Sequence, residues 1–198
     1  MGLLTGARLI AIDTETTGMS PADGAALVEV ASVALENGEI AETWSSLVRP
    51  GRPIPPDAVR VHGITDAMVA DAPEPHAIAG RLRAACGDLP LVFHNAPFDL
   101  PFLRDLMCRS GQPPLFNPVV DTLGLARGLL EGGGNSLGAL AARFGLPPQP
   151  AHRALGDALT TAHLFQKLAE RWEKERDVHS LAELAAVSQD VLRLTARR

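Results

Sequence analysis

The chain has 198 residues, 46% of them hydrophobic and 21% charged, which excludes a disordered polymer and supports one main domain with a buried core. Its net charge of −5 argues against the broad basic face that nucleic-acid binders present. No apolar run of about eighteen residues suggests a membrane span; the start "MGLLTGARLIAI" has no signal-peptide pattern, and Cys86 and Cys108 fit a reducing, cytoplasmic setting.

In chain order, "RLIAID" from Arg8 reads as a buried strand, followed by a polar loop around Met19 to Gly24. Strands are expected over 26–36 and 43–50, joined by "NGEIAE", in which Asn37-Gly38 is a strong hairpin signal. Residues 50–65 are too proline-rich for a regular element. A helix follows from Asp71 to Gly87, then a short strand over 89–95, then a helix from Pro97 to Ser110 with proline in its first turn. Residues 117–130 read as a strand running into a helix, Ser136 to Phe144 as a short helix ended by Gly145, and Arg153 to Arg171 as a long one. The charged run 173–177 is expected to break the chain before a last amphipathic helix, where Ser180 and Glu183 form a capping box. A main domain over 1–172 and a separate C-terminal segment over 173–198 result. The class is α/β: a mixed five-stranded sheet, with a three-strand antiparallel meander plus parallel strands, flanked by helices.

Three segments carry chemistry. In "IDTET", side chains two apart on a strand share a face, so Asp13 and Glu15 sit side by side with Thr14 turned away. Two like charges leaving water together need a compensating partner. In "HNAPFDL", Asp99 falls in the first turn of a helix, where the backbone amides favour a negative charge. In "HRALGD", His152 and Asp157 are five apart; five residues turn a helix through about 500°, about 140° away from a common face. Pro147, Pro148 and Pro150 delay the helix until about Arg153, so His152 lies on a mobile lead-in while Asp157 is helical, and both can converge on one site. Four carboxylates around one site call for hard divalent cations, two Mg²⁺ or Mn²⁺ ions, and these offset four of the negative charges. The formal balance then moves from −5 to about −1, and the acidity no longer argues against a phosphate substrate.

These motifs resemble those of the DEDDh 3′→5′ exonucleases, a branch of the ribonuclease H-like superfamily, and within it the group of the epsilon proofreading subunit of bacterial DNA polymerase III. "DTETTG", "HNAPFD" and "HRALGD" match the three family motifs, with "VHGIT", "DTLGLAR" and "NSLGALAARFG" in family order between them, over roughly residues 8 to 171. The resemblance implies that Asp13, Glu15, Asp99 and Asp157 hold the two metals and that His152 is the general base. A chain without tyrosine cannot belong to the sister subclass that uses tyrosine in the third motif. Thr14, Thr16, His62, Asn95 and Phe98 match positions lining the terminal-nucleotide pocket.

The implied reaction is hydrolysis at a free 3′ end, of DNA rather than RNA, releasing nucleoside monophosphates in proofreading or repair, with a DNA polymerase as a candidate partner. An exoribonuclease shares every catalytic residue and is one alternative. A non-catalytic binding module is the other, against which the complete set of five residues weighs. Asp121 reads as structural, and the last helix, with Leu181, Leu184, Val187, Val191 and Leu194 at helical spacing, as packed on its own domain.

Overall fold

The computed structural model describes residues 2–195, so the last three residues of the expected C-terminal segment lie outside the described residues. Five strands form one sheet: β1 (Arg8–Thr16), β2 (Leu27–Glu36), β3 (Glu39–Leu47), β4 (Leu91–Phe93) and β5 (Val119–Asp121), in the order β3-β2-β1-β4-β5. The first three pair antiparallel, whereas β4 runs parallel to both β1 and β5. This is the mixed sheet expected from the sequence.

The hairpin is tighter than the "NGEIAE" reading. Asn37 and Gly38 both take positive φ, 55° and 82°, and Glu36 already pairs with Glu39. A two-residue turn of that kind matches the twist of its strands, so pairing resumes at once and β3 starts four residues early. The expectation of no regular element over 50–65 is corrected by α1 (Pro56–His62), which the shorter α2 (Asp66–Val69) follows. The prolines end at the first helical position of α1, where the missing N–H is not needed, and "DAVRVH" is free to coil.

Helices cover both faces. One layer holds α3 (Pro75–Cys86) and α4 (Ala96–Arg109), packed on Ile10, Ile12, Val30, Leu91 and Phe93. The other holds α5 (Thr122–Leu129), α6 (Leu137–Phe144) and α7 (Ala154–Arg176), packed on Leu9, Ala11, Ala31, Val33 and Val120. The strict alternation along β1 sends odd residues to the α7 side and even residues to the α4 side.

The charged run does not break α7 where expected. Arg171 pairs with Glu175 at 2.6 Å and Lys174 with Glu170 at 2.6 Å, both one turn apart, so the charges line an exposed helical face. The helix stops at Asp177, which takes the left-handed conformation. The capping box then starts α8 (Leu181–Thr195): Glu183 N–H donates to Ser180 Oγ at 3.2 Å, and Ser180 N–H to Glu183 Oε2 at 3.1 Å. Helix α8 lies on α5 and β5. The backbone of Asp121 donates to Ser188 Oγ at 3.1 Å, and a Cβ on Gly124 would sit 2.1 Å from the Ser188 carbonyl oxygen. That close approach is available to glycine alone.

Candidate active site

The acids of β1 lie inside the strand rather than at its end. Asp13 and Glu15 face the α7 layer, Asp13 half-buried and Glu15 9% exposed. Asp157, in the first turn of α7, comes down onto them, so that one carboxylate oxygen from each of Asp13, Glu15 and Asp157 lies within 4.8 Å of the others. The register shifts between Glu15 and Thr16, a bulge at the margin of the cluster.

Asp99, the fourth acid expected at the site, stands outside that group of three and approaches from the opposite layer, where its charge still acts on Asp13. It is 4% exposed in the first turn of α4, and Thr14, pointing to that side of the sheet, donates its hydroxyl to Asp99 Oδ1 at 2.6 Å. The start of α4 is held by Asp121, whose fully buried carboxylate accepts from Asn95 N–H at 3.0 Å, Ala96 N–H at 2.7 Å and Leu123 N–H at 2.9 Å. Asp121 is thus structural, joining the end of β5 to the helix that carries Asp99.

The electrostatics are those of an anion cluster short of positive charge. Burial, then repulsion from Asp99, Asp157, Glu15 and Glu29, holds the Asp13 carboxyl well above the usual carboxylate range. Burial, with the charges of Asp157, Glu29 and Asp99, pushes Glu15 up to about 8, with Arg153 pulling the other way. Burial pushes Asp99 up to about 7 against the stabilising Thr14 bonds, and burial also raises Asp157. Carboxylates so placed offer an all-oxygen donor set to hard divalent cations, and such a cation would relieve the repulsion. The residues therefore fit the metal role.

His152 is exposed, on the lead-in to α7, with φ of 56° and its backbone N–H donating to Asp157 Oδ2 at 3.0 Å. The lead-in crosses so close to α7 that a Cβ on Gly156 would sit 1.9 Å from the Pro150 carbonyl oxygen. The glycine of "HRALGD" lets the loop carry His152 back toward its own helix.

Of the residues matched to a nucleotide pocket, two line one groove: Thr16 and Phe98, with Met19, Ala58 and Val61, beside Glu15. Met19 is 79% exposed and Val61 56% exposed, an apolar shelf at the edge of the acids. Thr14 is buried and engaged with Asp99, and Asn95 is exposed at the cap of α4 with a left-handed backbone. His62 is buried and does not line the groove: its Nδ1 accepts from Ile64 N–H at 3.0 Å, and desolvation lowers its pKa.

One residue near the site was not singled out from sequence. Glu29, 4% exposed, is the partner of Glu15 in the β1/β2 ladder and is bonded to Arg153 and to the Ala154 N–H. The available signal was an acid in the apolar run "LVEVASVAL", because a carboxylate is almost never fully buried without a partner.

Sheet, helices and acid cluster together define a nuclease-like α/β domain, and comparison with known proteins places it. Residues 10–165 match the RNase_T exonuclease family, and the chain belongs to that family. It is 43% identical over 166 residues to a DNA polymerase III subunit epsilon-like protein of Rhodobacter capsulatus, covering 80% of this chain and 23% of that protein. It is 34% identical over 171 residues to a PolC-type DNA polymerase III of Pediococcus pentosaceus, covering 84% of this chain and 12% of the polymerase. Among solved structures, exonuclease X in complex with 5′-overhanging duplex DNA superposes with a TM-score of 0.71 at 34% identity, covering 91% of this chain and 99% of that one. Escherichia coli exonuclease I, in complex with a dT13 oligonucleotide, shares the fold at a TM-score of 0.76 and 20% identity, over 86% of this chain and 43% of that one. These relatives agree with the DEDDh resemblance of the motifs and with the ribonuclease H-like sheet. Among the described residues no helix is long and apolar enough to cross a membrane.

Proposed function

We propose that this chain is a metal-dependent 3′→5′ exonuclease that hydrolyses the terminal phosphodiester of DNA and releases nucleoside monophosphates. The observation that carries the reading is the convergence of Asp13, Glu15 and Asp157 oxygens within 4.8 Å, in a family of exonucleases. Asp13, Glu15 and Asp157, with Asp99 beside them, would hold two Mg²⁺ or Mn²⁺ ions, which when bound would supply Lewis acidity to the phosphate and make water a stronger nucleophile.

The side chains supply the rest. The water oxygen bonds to phosphorus, the P–O3′ bond breaks, and a ring nitrogen of His152 takes the water proton. The freed 3′-oxygen is protonated from solvent. An exposed imidazole on a lead-in suits this role, because it can reach the water and pass its proton onward. Thr14 fixes the Asp99 carboxylate through its 2.6 Å bond. The shelf of Met19, Val61 and Phe98 beside Glu15 receives the terminal base through apolar contact, which is sequence-tolerant.

The 5′-overhanging duplex bound by exonuclease X supports DNA as the substrate, and the polymerase relatives support action beside a DNA polymerase, in proofreading or repair. The test is cleavage of 3′-labelled DNA and RNA of one sequence, with Mg²⁺ and with EDTA, on matched, mismatched and single-stranded ends. Mg²⁺-dependent release of mononucleotides from the DNA 3′ end is expected, faster at a mismatched terminus. Faster cleavage of RNA would make this an exoribonuclease, and no cleavage of either would make it a binding module.

A further inference from the structure

The start of α7 is tied to the sheet by one carboxylate. Glu29 Oε1 accepts from Arg153 Nη2 at 2.7 Å; Oε2 accepts from Arg153 Nε at 3.1 Å and from Ala154 N–H at 2.9 Å. All three bonds go to two consecutive residues, immediately after His152 and in the turn that carries Asp157. Arg153 is 42% exposed in its side chain, and a pair with one partner so exposed adds little to stability. A two-pronged guanidinium–carboxylate contact does, however, set orientation as well as distance.

The placement of Glu29 adds to this. It lies directly opposite Glu15 in the strand ladder, on the face that bears Asp13. An apolar residue between Val28 and Val30 would serve the core better, and a second acid across from Glu15 is repulsive in itself. The carboxylate is therefore a reference point at the level of the acid cluster, and residues 153 and 154 are registered to it. The left-handed backbone of His152 is bracketed by its own N–H bond to Asp157 and by the clamp on the next two residues.

Resting on the exonuclease reading above, we infer that Glu29, acting through Arg153 and the Ala154 amide, is a positioning residue that sets His152 at the reacting centre. Neither Glu29 nor Arg153 touches substrate in this account. Loosening the clamp lets the lead-in swing, so the proton acceptor is in place for a smaller fraction of encounters.

The experiment is a double-mutant cycle on a 3′-labelled oligonucleotide with saturating Mg²⁺, using Arg153→Ala, Arg153→Lys, Glu29→Gln, His152→Ala and the pair Arg153→Ala/His152→Ala. Arg153→Ala is expected to lower kcat about 10- to 100-fold, as a displacement near 1 Å does. Its KM should stay near the wild-type value, and Arg153→Lys should recover only part of kcat. In the His152→Ala background the same change should cost no more than about twofold. Equal losses in both backgrounds, or a change confined to KM, would overturn the inference.

A second readout does not depend on activity. The ¹H–¹⁵N amide signals of His152 and Ala154 should move in Arg153→Ala and in Glu29→Gln, with signals of the sheet unchanged. Unmoved signals would refute the clamp. Wild-type protein inactive with both Mg²⁺ and Mn²⁺ would instead refute the exonuclease reading, leaving these signals to judge the clamp alone. Should Arg153→Ala not fold, Glu29→Gln, which keeps the side-chain shape, and Arg153→Lys carry the test.

Discussion

Replacing Glu15 by glutamine removes one charge from the acid cluster while keeping its size, and it should stabilise the metal-free protein at alkaline pH. In the unfolded chain Glu15 ionises near 4.5, whereas in the fold it holds its proton up to about 8 because of burial and the charges of Asp157, Glu29 and Asp99. The folded state therefore binds the proton more tightly, so the Glu15 contribution to stability is full below pH 4.5 and is lost as pH rises to about 8. At about 1.4 kcal/mol for each pH unit, that interval corresponds to a loss of about 5 kcal/mol, an upper bound because neighbouring acids share the proton. Urea unfolding in EDTA should show wild type and Glu15→Gln close together at pH 5, and the variant more stable by several kcal/mol at pH 8.5. Comparing the two proteins cancels the histidines, including His62 and His94, whose pKa values burial lowers. Adding Mn²⁺ at pH 8.5 should narrow the gap, since a cation bound to the ionised wild-type cluster stabilises by about 2.7 kcal/mol at a hundred times its Kd. If Glu15→Gln is no more stable than wild type at pH 8.5 in EDTA, the buried-anion account of the site is wrong.

Other perturbations separate the roles of the site residues. Asp13→Ala should abolish cleavage while the thermal midpoint in EDTA holds or rises, because one member of a repelling cluster is gone; native-rate cleavage by that variant would remove Asp13 from the site. His152→Ala should slow hydrolysis by about 10² to 10⁴ with Mn²⁺ affinity retained, and loss of the metal instead would reassign the histidine as a ligand. Gly156→Ala forces the lead-in away from α7, since the added carbon would lie 1.9 Å from the Pro150 carbonyl oxygen. Its expected cost is about 1–3 kcal/mol in urea unfolding, with a larger fractional loss of kcat than of stability. Gly124→Ala should push α8 off α5 and lower the thermal midpoint; an unchanged midpoint would show that α8 contributes nothing to the domain.

What the sequence by itself determined was local. The period of two along β1 put Asp13 and Glu15 on one face and Thr14 on the other, and the prolines before Arg153 set where α7 begins. Turn and cap signals marked the hairpin and the start of α8, although pairing beside Gly38 and the helix inside 50–65 ran further than proline and turn counting suggested. Such patterns are legible because they arise between residues a few positions apart.

Only the tertiary structure decided what meets across the sheet. Asp99 approaches the cluster from the α4 layer, near enough for its charge to raise Asp13, and Asp121, at the end of β5, holds the first amides of that helix. Glu29 becomes a clamp because the β1/β2 register sets it opposite Glu15 and α7 starts just above it. The close passages at Gly124 and Gly156 depend on which backbone crosses each glycine. These contacts join segments up to 125 positions apart, and periodicity shows which way a side chain faces but not which distant segment comes to meet it.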